Sequence, residues 1–130
     1  MNILITLPKP LIDCIISGEK TFEMRKTIPR KMVLHLDGFF VVEKGTADVR
    51  CWCRVDDVCE TVICNHTASS YSSHLCVDEE YIMKYARNKK VYLWKIGKVV
   101  VLSDVERNSL SVFRNPQQFA YCPYSYGQSY

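Results

Sequence analysis

No stretch of this chain is apolar for long enough to cross a membrane, and no charged-then-apolar leader opens it. A soluble, cytoplasmic protein is therefore expected. A phosphate-binding glycine loop, a nucleophile elbow and a dinucleotide fingerprint are all missing, so nucleotide-cofactor enzymes have no support and no cofactor is expected. No Cys-x-x-Cys pair occurs, which removes the commonest zinc signature. Internal repeats, low-complexity blocks and shifts of composition are absent too, leaving residues 1–130 as one domain.

What is present is an ordinary globular balance, 48% hydrophobic and 24% charged over 130 residues. That length suffices for a core without metal or disulfide help. Seven cysteines in a chain without an export signal are expected to stay reduced. The net charge of +3 is unevenly spread. From Glu19 to Lys31 five basic residues (Lys20, Arg25, Lys26, Arg30, Lys31) face two acidic ones, and a second basic group from Lys84 to Lys98 has no acidic residue among or beside it back to Tyr81. On one shared face the two groups would make a patch suited to phosphate. Lysines beside strands also keep sheet edges soluble.

Along the chain, Asn2 to Leu7 reads as a strand ended by Pro8. Leu11, Ile12, Ile15 and Ile16 then repeat at helical spacing between Pro10 and Gly18, the usual asymmetry of a short amphipathic helix. At Phe22 the period becomes two, putting Phe22 and Met24 on one side and Thr21, Glu23 and Arg25 on the other, a polar row expected to face away from the core. Met32–Asp37 alternates again, Phe39–Val42 continues it as an apolar patch after Gly38, and a long strand is expected from about Asp48 to Val55 or beyond, with a bend at Asp56-Asp57. In that strand Val49, Cys51, Cys53 and Val55 share one face. The Ser- and Thr-rich piece from Cys64 to Cys76 reads as a loop or irregular helix. Asp78 caps a helix that Asn88 closes, and two strands, Val91–Ile96 and Val99–Leu102, flank Gly97. The tyrosine-rich tail after Pro116 reads as a cover over the sheet or a loose end. Five or six strands with two or three short helices make an α+β fold with a mixed β-barrel.

The most concentrated chemistry lies in Ser17-Gly18-Glu19-Lys20-Thr21-Phe22-Glu23-Met24-Arg25-Lys26. Its Gly-Glu-Lys-Thr-x-Glu-x-Arg core resembles the signature of the ASCH domain family, small β-barrels of the PUA-like superfamily. Pro8-Lys9, Val33–Leu36, Val91–Ile96 and Leu110–Arg114 add weaker likenesses. The resemblance implies a cleft, bounded by barrel and helix, that holds a base, a modified nucleoside or RNA. Lys20 and Arg25 suit phosphate or carbonyl oxygen, and Glu23 suits an exocyclic amine. Thr21 and Lys26 join the expected ligand-binding set. Trp52, Trp94, Tyr81 and Tyr121 are candidates for stacking, with Tyr81 and Trp94 taken into that set.

An alternative implied by the same resemblance is an amidohydrolase that deacylates N4-acetylcytidine-type nucleosides, with Lys20, Thr21, Glu23 and Glu79 as catalytic candidates. The family's threonine would stand three residues after its lysine, where this chain has Glu23. A third reading is a protein-interaction module in transcription regulation that uses the tail.

Metal binding is the remaining rival. Cys51, Cys53, Cys59, Cys64, His66, His74 and Cys76 lie close together in sequence. Cys51 and Cys53 alternate within a strand, as buried thiols do. Only Cys64-x-His66 and His74-x-Cys76 remain to converge, and no metal is expected. Cys76 with His74 is also the nearest approach to a thiol beside a base.

Overall fold

The computed structural model describes residues 2–28 and 37–107 and the backbone of 108–110 and 120–122. Strand β1 (Asn2–Leu7) is buried on both sides, the pattern of an inner strand. It lies parallel to β3 (Gly38–Glu43) and antiparallel to β6 (Ala120–Cys122). A parallel pair needs a crossover. Here the chain between β1 and β3 carries α1 (Lys9–Ser17) and β2 (Phe22–Arg25). Strands β4 (Val49–Val62) and β5 (Lys90–Val101) form a long antiparallel ribbon, and β2 closes the far edge. The sheet order is β2-β5-β4-β3-β1-β6, a mixed half-barrel.

Helices α2 (Asn65–Leu75), α3 (Glu79–Ala86) and α4 (Asp104–Leu110) complete the α+β fold. Four helices among the described residues exceed the two or three expected. The extra one has a reciprocal cap: Ser103 Oγ accepts from the Glu106 N–H, and Glu106 Oε1 accepts from the Ser103 N–H.

Three apolar clusters follow from the sheet's alternation. Ile3, Ile5, Phe39, Val41, Cys51, Cys53 and Trp94 fill the half-barrel with Ile12 and Ile15 of α1. Leu4, Phe40, Val42, Val49, Trp52 and Leu102 pack on the opposite face. Met24, Val91 and Leu93 lie beneath α2 and α3, against Leu75, Ile82 and Ala86. The β2–β5 corner is thus covered on both faces.

Several expectations change. The piece from Cys64 to Cys76 is a regular helix, and only Ala68 and Leu75 of it are buried, too few for a clear helical period. The bend expected at Asp56-Asp57 is instead a bulged stretch: β4 continues to Val62 through two register shifts between Cys53 and Asp57. β5 likewise runs unbroken through Gly97, where a Cβ would meet the Asp56 carboxylate. A third shift, in the β3–β4 pairing at Val41/Val42, turns Val49 away from Cys51 and Cys53 to join Trp52. The basic turn at 29–31, the strand expected at 32–36 and the family likeness at 111–114 lie outside the described residues. So does the tail, except that 120–122 pairs with β1.

Candidate functional site

Helix α1 stops at Gly18, whose φ of 86° is a left-handed cap with its N–H donated to the Ile15 carbonyl. The reversal lets the Lys20 N–H reach the Cys14 carbonyl at 2.9 Å, and β2 begins at Phe22. Pairing with β5 sets Glu23 opposite Trp94 and Arg25 opposite Tyr92. Phe22 and Met24 face the helices, as alternation requires, and Glu23 and Arg25 face the other way.

That other side is not solvent. Lys20, Glu23 and Arg25 are only 3%, 4% and 7% exposed, so the expected outward polar row is corrected to an inward one. The pattern of two was right; what it misjudged was a strand with both faces covered.

The three charges compensate one another. Glu23 Oε1 lies 3.3 Å from Lys20 Nζ, and Oε2 accepts from Arg25 Nη2 at 2.8 Å and Nε at 3.2 Å. The Met24 N–H also donates to Oε1, and Lys20 Nζ donates to the Leu75 carbonyl at the end of α2, 3.1 Å away. Burial pushes the Glu23 carboxyl up, but the charges and hydrogen bonds of Lys20 and Arg25 outweigh it and hold the group below its ordinary range. Together the three carry a formal charge of +1.

They line a cavity of about 450 Å³, within the usual range for a small-molecule site. Thr6, Leu7, Pro8 and Leu11 form one side of it, and Leu75, Val77, Tyr81 and Tyr85 another. Tyr81 is 49% exposed and lies over Tyr85 with centroids 6.2 Å apart and planes 13° from parallel. The Thr6 hydroxyl is buried without a hydrogen-bond partner among the described residues.

Of the expected site residues, Lys20, Glu23, Arg25 and Tyr81 share this cavity. Lys26 stands outside its walls, with its ammonium 4.7 Å from the Tyr85 ring centroid. Thr21 is also outside, its hydroxyl 2.9 Å from His74 Nδ1. Glu79 is exposed on the first turn of α3 and is not a wall residue. Trp94 is fully buried in the half-barrel, edge-on to Phe39, and underlies Glu23 from the next strand. Trp52 donates its indole N–H to Asn2 Oδ1 in another cluster.

Sequence reasoning missed Tyr85 and Thr6. Tyr85 had a signal, one helical turn after Tyr81; Thr6 had none. Of the cysteines and histidines weighed for a metal, Cys64 and Cys76 cap opposite ends of α2, about 18 Å apart at 1.5 Å per residue. Cys51 and Cys53 are buried side by side, and Cys51 and burial raise the Cys53 thiol far above its ordinary range.

No family model matches the sequence, and no curated protein matches it. Solved structures do. The crystal structure of ASCH from Zymomonas mobilis aligns with a TM-score of 0.71 at 17% identity, over 93% of this chain and 87% of that one. The chain has an ASCH-domain fold. A tyrosine-to-phenylalanine mutant of that bacterial ASCH protein aligns at 0.71 and a serine-to-alanine mutant at 0.70, both again at 17% identity and over 93% of this chain, with 89% and 87% of theirs covered. On this ASCH fold, the Gly-Glu-Lys-Thr-x-Glu-x-Arg stretch spans the helix-to-strand junction and supplies the charged wall of the cavity.

Proposed function

We propose that the cavity binds a nucleobase, presented by a modified nucleoside or by RNA. The observation that carries this is the Glu23 carboxylate, kept ionised out of water by Lys20 and Arg25 and facing the same cavity as the Tyr81–Tyr85 pair. A buried carboxylate accepts from an exocyclic amine, and adjacent cations favour carbonyl oxygens. A half-exposed tyrosine ring offers a stacking surface, a contact worth about 1–3 kcal/mol per base.

Amide hydrolysis of an acylated nucleoside is the second reading. Lys20 and Glu23 in one cavity favour it, since amide cleavage needs a hydrogen-bond donor and an acceptor beside the scissile bond. Thr21 and Glu79 stand outside the cavity walls, and binding needs neither. The protein-interaction reading rests on the tail, mostly outside the described residues, and no observation here favours it.

Fluorescence anisotropy and chromatography on acetylated cytidine, short RNA and short DNA at two salt concentrations test the reading. Binding is expected to weaken at least about tenfold in Tyr81→Ala, the loss of about 1.4 kcal/mol of stacking. RNA would add a steep salt dependence that a free nucleoside lacks. Product formation abolished by Lys20→Met would make the site hydrolytic. Binding unchanged in both variants would place the ligand elsewhere and defeat the proposal.

A further inference from the structure

The end of α1 and the end of α2 are stitched together behind the charged triad. The Lys20 N–H donates to the Cys14 carbonyl, Lys20 Nζ to the Leu75 carbonyl, and the Thr21 N–H to the His74 carbonyl at 2.8 Å. This brings Cys14 beside Cys76, residues far apart in sequence. One Sγ from each and a carboxylate oxygen of Glu19 all lie within 4.8 Å of one another. Both thiols are half-buried and the carboxylate is exposed, so the cluster is open to solvent on the Glu19 side.

We propose that Cys14, Cys76 and Glu19 form a binding site for a divalent thiophilic cation of the zinc class, separate from the nucleobase cavity. Two sulfurs select zinc over calcium or magnesium, which take oxygen ligands. Zn–S bonds of about 2.3 Å and a Zn–O bond of about 2.0 Å put tetrahedral ligand atoms roughly 3.5–3.8 Å apart. The observed spacing, within 4.8 Å, therefore needs to close by at most about 1.0–1.3 Å, through rotamer changes of exposed Glu19 and of the two cysteines. Binding displaces thiol protons to solvent. The three ligands leave the fourth position for water on the open Glu19 side. A metal here would brace the Cys14 and Leu75 carbonyls, which accept from the Lys20 N–H and the Lys20 ammonium beside its pairing with Glu23.

The test is Co²⁺ and Zn²⁺ titration of the reduced full chain. Cobalt is expected to bind once per chain with a near-ultraviolet thiolate charge-transfer band, and zinc to displace it. Zinc should also protect Cys14 and Cys76 from alkylation while exposed Cys59 and Cys64 react as before. Cys14→Ser and Cys76→Ser should each weaken binding at least about tenfold, and Glu19→Gln by less. Cobalt binding without the charge-transfer band, equal alkylation of Cys14 and Cys76 with and without zinc, or a Cys14–Cys76 disulfide that forms in air despite excess zinc would each overturn the proposal. The alkylation arm uses the unaltered chain, so a misfolded variant cannot obscure the answer.

Discussion

Lys20 Nζ stands 3.3 Å from Glu23 Oε1 with both side chains almost wholly withdrawn from water. The pair is not closed on itself: Arg25 takes the other carboxylate oxygen, and a carbonyl from α2 takes the lysine. Removing the shared partner should therefore be worse than removing one cation.

Glu23→Gln is expected to cost about 3–5 kcal/mol, the range for leaving buried charge uncompensated. Lys20→Met keeps the Glu23–Arg25 pair and an apolar side chain of similar reach, so it should cost less. Urea unfolding of both variants decides; a larger loss in Lys20→Met would mean that the triad does not centre on Glu23.

The same carboxylate makes stability depend on acid. Its folded pKa is depressed, so the folded chain binds fewer protons than the unfolded one near the carboxylate range. Its contribution is fully present above the unfolded value of about 4.3 and is lost as pH falls through the lower folded value. The stability gap between the native chain and Glu23→Gln should narrow on acidification from pH 5 toward pH 3. A gap that stays constant or widens would contradict the depressed pKa.

Two glycines should respond differently to alanine. Gly18 has open space around it and only its left-handed φ of 86° to lose, a cost of about 1 kcal/mol. At Gly38 a Cβ would run into the Cys53 carbonyl and the Trp52 ring, an overpacking of about 3 kcal/mol. Thermal midpoints should fall further for Gly38→Ala, and the reverse order would misplace the β3–β4 contact.

Helix α4 is tied to the sheet by Arg107, whose guanidinium grips both oxygens of Asp48. The hydrogen bond to Arg107 is the main reason the Asp48 carboxyl lies below its ordinary range. Arg107→Ala should cost about 1 kcal/mol and speed amide exchange in Asp104–Leu110, leaving β4 and β5 protected. Unchanged exchange in α4 would show that the pair does not hold it.

Local chemistry made much of this fold readable in advance. Pro10 and Gly18 bracketed α1, Asp78 announced α3, and alternation from Phe22 to Arg25 separated Met24 from Glu23 correctly. The failures lie where a residue's setting depends on remote chain. Nothing near Glu23 says that its face is roofed over, because the roof comes from β1, α1 and the half-barrel interior. Cys64–Cys76 hid a helix because its outer face is polar, and Val49 changed sides because of a bulge no local pattern marks. Tyr85 and the Ser103–Glu106 cap were legible, through helical spacing and a Ser-x-x-Glu sequence.

The Leu75 carbonyl that receives Lys20 lies 55 positions further along the chain. An ammonium group enters a dry interior only when its acceptors are waiting, so Lys20 cannot be buried until α2 has docked onto β2. Contacts of such long sequence separation form late, after local hairpins and helices. Ligand-binding competence should therefore trail the recovery of helix signal during refolding, so the cavity matures after the local elements that frame it.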